Sequence, residues 1–312
     1  LVNMMQELAK ERPVGTDYNN HLLDMLEGLL GKMGYTISSL PFACMVWRKG
    51  PSKMTIGERE IAVEPSPFSA GFQGKGPLRT ASTLAEVQNA DCRGAILLLS
   101  GALTQEALSP KDYPFYYPEE HKAVIDLLED KGPAAIIAVT GSSPLHGKDP
   151  FPLFEDGNFS IPSANIGKNA YKSILSLLDA HGGEVDLLID SGKKTASSRQ
   201  IVASKKAERA KGRIVLAAHM DSKYDTPGAL DNAAGLATLL ETAASLSANC
   251  YDIDILPFNG EEYYGASGEM AYLQSLGETP IALLINIDSP GHKGSKIALS
   301  TYNFSESMLE QT

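Results

Sequence analysis

The stretch 213–241 constrains this chain most, because in it an apolar strand pattern ends on residues that can bind metal. It reads RIVLAAHMDSKYDTPGALDNAAGLATLLE. The run after Arg213 is typical of a buried strand, and it ends at His219, with Asp221 close behind. A loop then leads to Asp231 and a helical pattern rich in Ala and Leu. Asp231 is either the N-cap of that helix or, with His219, a ligand of one metal site.

Length and charge limit the class of protein. At 312 residues the chain is more typical of two domains than of one. Hydrophobic residues make up 43% and charged residues 21%, which is ordinary for a soluble globular protein. A net charge of -11 argues against a nucleic-acid partner, because phosphates need a Lys/Arg excess. The oligomeric state is left open.

Neither a membrane span nor an export signal is indicated. No apolar run approaches the ~18 residues of a transmembrane helix. The first residues, LVNMMQELAKERP, lack the apolar core of a signal peptide. Cys44, Cys92 and Cys250 are widely spaced and form no CxxC pair, so we expect buried free thiols. The compartment stays open.

The first 191 residues contain a helical segment followed by mostly strand patterns. Leucine and methionine spacing predicts a helix over 19–33 that ends at Gly34. Further patterns predict strands at 35–38, 42–47, 95–99, 134–139 and 185–189, a hairpin pairing 54–56 with 60–63 through Gly57, helices at 122–129 and 170–178, and a Pro/Gly/Ser-rich loop over 65–77. The block from about Pro51 to Ser191 has no cluster of metal-binding residues.

Beyond Gly192 the strands are longer and alternate with helices. Strands are predicted at 200–203, 213–218, 252–258, 281–287 and 296–300, and helices at 233–246 and 266–276. Such alternation is typical of an α/β fold with a mostly parallel, doubly wound sheet.

Potential ligands follow several of these strands. His219, the pair Glu261 and Glu262, and Asp288 each come at a strand end, where open α/β sheets bind their ligands. One histidine with several carboxylates suits Zn²⁺, with Mn²⁺ or Co²⁺ as alternatives. Each residue also has an ordinary structural interpretation: a backbone-bonded histidine, an exposed acidic pair, and a turn-capping aspartate.

Chemistry suggests a role for each residue if the site is catalytic. A short aspartate such as Asp231 can bridge two metal ions ~3.5–4 Å apart. In the pair Glu261 and Glu262, one carboxylate can bind metal while its neighbour takes a proton from water. Asp221 can hydrogen-bond the His219 imidazole and fix its tautomer.

The sequence resembles the M28 class of zinc exopeptidases, which comprises aminopeptidases and related carboxypeptidases. The resemblance rests on His219-x-Asp221 and on the segments 228–235 (GALDNAAG), 258–262 (FNGEE) and 286–288 (NID). The segment 12–16 (RPVGT) looks like the family's N-terminal segment. Residues 92–99 (CRGAILLL) and 132–137 (GPAAII) are similar to the inserted protease-associated domain of such enzymes.

This resemblance implies a zinc-exopeptidase catalytic domain, of the phosphorylase/hydrolase-like fold, at 1–51 and 192–312, and a smaller α+β protease-associated insert at 52–191. It also implies a di-zinc site for a peptide substrate. His219 and Asp288 would hold one ion, Glu262 the other and Asp231 both, with Glu261 as general base.

One ligand of the family pattern, a second histidine well beyond Asp288, has no equivalent here. His292 is only four residues beyond Asp288, and we do not expect it to substitute. We therefore expect the C-terminal part of the catalytic domain to lie outside this chain. An aminopeptidase is the first hypothesis; the alternatives are a non-catalytic binding protein, a single-zinc acyltransferase or cyclase, and a carboxypeptidase.

Overall fold

The computed structural model describes residues 2–111, 117–142, 149–262, 265–294, 296 and 298–303. Two sheets organise these residues. The first is five-stranded, in the order β1 (Thr36–Lys49), β9 (Ser191–Lys205), β11 (Asp252–Phe258), β10 (Arg213–His219) and β12 (Ile281–Asn286). The second is a closed barrel, in the order β2 (Ser52–Ile56), β3 (Arg59–Pro65), β7 (Ser163–Gly167), β6 (Ala135–Thr140), β5 (Ile96–Leu99), β4 (Phe72–Ala81) and β8 (Glu184–Ile189).

Helices cover both faces of the five-stranded sheet. Successive side chains along each strand point to opposite faces, and both faces are apolar. One face carries Ile201, Ala203, Leu216 and Ala218, which pack against α1 (Val2–Leu8), α2 (Asp17–Lys32) and α6 (Gly235–Ser245). The other face carries Val202, Val215, Ala217 and Leu256, which pack with Tyr272 of α7 (Ser267–Ser275). The expected α/β class is thus observed.

The sheet is mixed, however, and the prediction of a mostly parallel sheet is wrong. β10 runs parallel to β11 and β12, whereas β9 runs antiparallel to both β1 and β11. The reason is the chain path: β1 leads out of the sheet to the barrel and β9 leads back, like the two arms of a hairpin. The parallel strands β10, β11 and β12 carry the potential ligands at their carboxyl ends.

The segment that we call the insert, residues 52–189, contains the barrel and its helices α3 (Leu84–Asn89), α4 (Glu119–Lys131) and α5 (Lys168–His181). A short 3-10 helix, Gly101–Thr104, follows β5. Strands β4 to β7 are parallel neighbours, and β2, β3 and β8 complete the barrel through antiparallel pairs. Whether this insert is a protease-associated domain with boundaries at 52 and 191 stays a prediction.

Several local predictions are confirmed, among them the helix over 19–33, the 54–63 hairpin and the strand over 252–258. Others are wrong. Strands 35–38 and 42–47 are one strand, β1, which tolerates Pro41 because β1 lies at the sheet edge. The 65–77 loop contains most of β4, whose pairing with β8 outweighs the local propensity of its glycines.

Two further predictions need correction. Residues 296 and 298–300 form no strand, and Ile297 lies outside the described residues. Cys44 and Cys92 are buried free thiols as expected, but Cys250 is exposed in the loop before β11. Among the helices of the described residues, none has the length and apolarity that crossing a membrane requires.

Candidate metal centre

His219 is the last residue of β10 and lies at the centre of the site. Its side chain is only 3% exposed, and its Nε2 atom is 2.9 Å from Asp231 Oδ1 and 3.8 Å from Asp288 Oδ1. One ligand atom of each of these residues lies within 4.8 Å of the others. The structure therefore brings together three of the residues that the sequence singled out.

Asp231 is not the N-cap of α6. It lies in the kinked turn Ala229–Ala234, where its φ of -108° and ψ of 93° are not helical, and a cis peptide bond joins it to Asn232. The capping contact comes instead from Asn232, whose Oδ1 accepts a hydrogen bond from the backbone N–H of Gly235 at 3.0 Å. The Asp231 carboxylate remains 56% exposed beside His219.

Asn232 also fixes the position of Asp288, a role that sequence reasoning missed. Its Nδ2 donates to the carbonyl oxygen of Ile287 at 2.9 Å, and its Oδ1 accepts from the N–H of Ser289 at 3.1 Å. This buried amide therefore bonds both neighbours of Asp288. Its position directly after Asp231 was the available signal.

Asp221 organises the two glutamates rather than the histidine tautomer. Its two carboxylate oxygens accept hydrogen bonds from the backbone N–H groups of Glu261 and Glu262, each at 3.1 Å. Asp221 Oδ1 does face His219 Nδ1, but at 3.7 Å, an ion-pair distance that is too long for the predicted hydrogen bond. Backbone donors are thus the partners that hold this buried carboxylate.

A buried amide network supports the same loop from behind. The side chains of Asn19 and Asn259 exchange two hydrogen bonds, at 2.9 and 3.1 Å, and Asn259 Nδ2 also donates to Ser198 Oγ. The backbone N–H of Asn259 donates to Gln200 Oε1 at 3.0 Å. Helix α2 and strand β9 therefore fix the start of the loop that carries Glu261.

Arg12 braces the loop between His219 and Asp231. Its side chain is fully buried and donates to four backbone carbonyl oxygens, those of Lys10, Met220, Pro227 and Gly228. Burial lowers the pKa of the guanidinium, while Asp221 and Asp231 oppose that shift. The sequence indicated the segment 12–16 only through family resemblance.

The candidate ligands line a cavity of about 310 Å³ between the sheet and the insert. Glu261 and Glu262 both line it, and Glu262 Oε2 lies 3.8 Å from Lys223 Nζ. Lys223 in turn lies 3.2 Å from Glu155 Oε2 of the insert. Sequence reasoning missed Lys223 and Glu155, because neither belongs to a ligand pattern.

The carboxylates and the imidazole shift one another's proton affinity. Burial disfavours the protonated His219, but contacts with Asp221, Asp231 and Asp288 outweigh burial, and the pKa of His219 is raised. Asp288 has a lowered pKa, first through His219. Burial raises the pKa of Glu261 and, more strongly, that of Glu262. The raised pKa of Glu261 suits a group that accepts a proton.

A zinc ion fits this donor set. A buried histidine nitrogen faces two carboxylates, and two further carboxylates line the same cavity, which matches the nitrogen and oxygen ligands that zinc takes in catalytic sites. Among the described residues, thiolates are not part of the cluster. Lys223 is a cation within this cavity, and it pairs with Glu155 as well as with Glu262.

Comparison with known protein families finds a match over the part of the chain that carries the candidate ligands. The family model of peptidase family M28 matches residues 200–312, which include all of the candidate ligands. We call residues 200–312, the part of the chain that this family model matches, the M28 segment. His219, Asp231, Glu261, Glu262 and Asp288 all lie within it.

Relatives of the M28 segment extend the similarity to most of the chain. The probable lipoprotein aminopeptidase LpqL of Mycobacterium tuberculosis is 22% identical in an alignment of 308 positions that covers 92% of this chain and 57% of that protein. The chain thus spans little more than half the length of that relative.

Two solved structures share the fold. An aminopeptidase from Aneurinibacillus sp. strain AM-1 superposes with a TM-score of 0.69 at 21% identity, over 92% of this chain and 69% of that one. BSAP, a zinc aminopeptidase from Bacillus subtilis, gives a TM-score of 0.68 at 20% identity, over 92% and 68%. Both matches include the insert as well as the M28 segment, because they cover 92% of this chain.

Proposed function

We propose that this chain is the sheet-and-insert part of a zinc-dependent aminopeptidase, which removes N-terminal residues from peptides. The observation that carries the proposal is the convergence of His219, Asp231 and Asp288 at one sheet edge. Glu261 and Glu262 line the same cavity. The aminopeptidase names of the relatives support the reaction class.

In this proposal each residue has one role. His219 and Asp288 would hold one zinc ion, Glu262 would hold the second, and Asp231 would contribute to both sites. Bound zinc supplies Lewis acidity at the substrate carbonyl. Glu261 accepts a proton from the attacking water and returns it to the leaving amine. Asp221 keeps Glu261 and Glu262 in place through their backbone N–H groups.

A panel of peptides tests the reaction. The full-length protein is loaded with zinc and given peptides that are blocked at the amino end, at the carboxyl end or at neither. An aminopeptidase cleaves the free and the C-blocked peptides and leaves the N-blocked ones intact. Cleavage of N-blocked but not C-blocked peptides would make the protein a carboxypeptidase, and the absence of zinc under zinc-replete conditions would favour a non-catalytic binding protein.

Acyl transfer and cyclisation are tested in the same assay. If the protein is a single-zinc acyltransferase or cyclase, mass spectrometry detects a modified or cyclised product instead of a free amino acid. Metal analysis then gives one zinc ion per chain instead of two.

The place where the protein works is a separate proposal. Its mycobacterial relative is named a lipoprotein, which supports a location outside the cytoplasm. Cell fractionation with an antibody against the protein tests this, and recovery in the cytoplasmic fraction alone would contradict it.

A further inference from the structure

The cavity at the candidate metal centre has two chemically different parts. Every apolar residue that lines it among the described residues comes from the insert: Ala107, Leu108 and Pro110. Among its described residues, the M28 segment contributes ionisable lining residues only, namely His219, Lys223, Asp231, Glu261, Glu262 and Asp288. The insert thus gives the cavity an apolar wall.

This wall, which we call the 107–110 segment, is firmly attached to the insert. Leu108 is 8% exposed and belongs to a hydrophobic cluster with Ile125 and Leu128 of α4. Its backbone N–H donates to the carbonyl oxygen of Leu153 at 2.9 Å. The N–H of Ser109 donates to His121 Nδ1 at 3.0 Å. These contacts fix the position of the wall, so a large ligand cannot displace it without breaking them.

Ion pairs hold the insert against the sheet and its loops. The Lys223–Glu155 ion pair at 3.2 Å joins the loop after β10 to the insert, with side chains 35% and 16% exposed. Lys49, at the end of β1, pairs with Asp225 of the same loop at 2.7 Å and also contacts Glu64 of β3. The volume of about 310 Å³ lies at the lower end of the range of about 300–1,000 Å³ for small-ligand pockets.

We propose that the 107–110 segment forms the pocket for the first side chain of the substrate and selects short aliphatic residues. This inference rests on the proposed aminopeptidase function. An apolar side chain gains free energy by leaving water against Ala107 and Leu108. An acidic side chain is disfavoured, because Glu155 and Glu262 line the same cavity and the cation beside them, Lys223, already pairs with both.

Two substitutions change the wall in opposite directions. Ala107→Leu narrows the pocket at a partly exposed position, and Leu108→Ala widens it. Ala102→Leu is the matched control, because Ala102 is exposed in the nearby 3-10 helix and does not line this cavity. The kcat/KM of the zinc-loaded, full-length protein is measured with the 4-nitroanilides of alanine, leucine, phenylalanine and glutamate.

The expected result is a change in preference rather than in overall activity. Ala107→Leu should lower kcat/KM for leucine and phenylalanine relative to alanine by about tenfold or more, the scale set by added methylenes in apolar pockets. Leu108→Ala should raise the phenylalanine-to-alanine ratio, Ala102→Leu should leave it unchanged, and the glutamate substrate should be the poorest throughout. Unchanged ratios in both wall variants, or a preference for glutamate, would overturn the pocket assignment.

Calorimetric titration with free alanine, leucine and phenylalanine separates the pocket from the reaction. If no anilide or peptide is cleaved but Ala107→Leu selectively weakens leucine and phenylalanine binding, the proposed function fails and the pocket stands. If peptides are cleaved while amino-acid binding does not respond to either wall variant, the pocket fails and the function stands. Circular dichroism confirms that each variant is folded.

Discussion

Asn232 and Ile287 are joined by a hydrogen bond from the Asn232 amide to the Ile287 carbonyl oxygen, at 2.9 Å. Each is the immediate neighbour of a candidate ligand, Asp231 or Asp288. The bond therefore fixes the spacing of two carboxylates that come from different parts of the chain. Because Asn232 Oδ1 also accepts from Gly235 and Ser289, one side chain serves both loops.

Asn232→Ala should weaken both the fold and the metal site. It leaves buried backbone groups without partners, which costs about 1–3 kcal/mol of unfolding free energy. Loss of such support around metal ligands lowers metal affinity by about 10–100-fold. Urea unfolding of the metal-free protein and zinc competition with a chelator measure the two effects. Thr238→Ala on the exposed side of α6 is the control, and wild-type zinc affinity in Asn232→Ala would contradict the role.

Glu261→Gln should remove catalysis and leave the metals in place. A positioned general base contributes about 10²–10⁴-fold to the rate, so kcat should fall by that factor. Glu262→Gln is the comparison, since it should reduce zinc content as well as rate. Turnover near the wild-type level in Glu261→Gln would show that another group takes the proton.

Arg12→Lys should destabilise the protein although the charge is kept. A lysine ammonium cannot reproduce the fork that reaches four carbonyl oxygens. Hydrogen bonds from a charged donor are worth about 1.5–3 kcal/mol each. The loss of unfolding free energy should therefore exceed that caused by Arg48→Lys, because the Arg48 side chain is 72% exposed. Equal denaturation midpoints for the two variants would argue against the bracing role.

Glu269→Gln should change how stability depends on pH. Burial raises the pKa of Glu269 to about 8, a hydrogen bond with its own backbone opposes this, and Asp221 and Glu261 add to it. The folded state keeps the Glu269 proton up to a higher pH than the unfolded state does. The contribution of Glu269 to the free energy of unfolding is therefore complete below the unfolded pKa, and it is lost as pH rises towards about 8.

Denaturation midpoints at several pH values test this prediction. Denaturation midpoints of metal-depleted wild type and Glu269→Gln should be similar at about pH 4 and diverge by about pH 9, with the variant more stable at the alkaline end. A constant difference across this range would mean that Glu269 titrates alike in the folded and unfolded states.

Sequence reasoning located the strand ends of the site because β10, β11 and β12 each contain an apolar run close to the carboxyl end. It also singled out His219, Asp231 and Asp288, which the structure brings together. It missed Asn232, Lys223 and Glu155, because their contacts depend on long-range packing. Glu155 and Lys223 lie 68 residues apart in sequence, and their pairing requires the insert to fold against the sheet.

The antiparallel pairing of β9 with β1 and β11 could not be predicted, again because it depends on long-range packing. Alternating strands and helices favour parallel pairing, and this holds for β10, β11 and β12. The strands β1 and β9 depart from it because they flank the insert, and their pairing extends from Thr36↔Ser204 to Lys49↔Ser191. Composition does not reveal where a chain leaves a sheet and returns to it.

The pairing of Lys49 with Ser191 has an evolutionary consequence. Because the chain enters and leaves the insert at adjacent backbone positions, the whole insert is replaceable by a tight turn without the loss of a sheet strand. A lineage can therefore shorten, exchange or discard the insert as one module while the metal-binding edge is retained. Under the proposed function, exchanging the insert would alter which peptides are admitted and leave His219, Asp231 and Asp288 untouched.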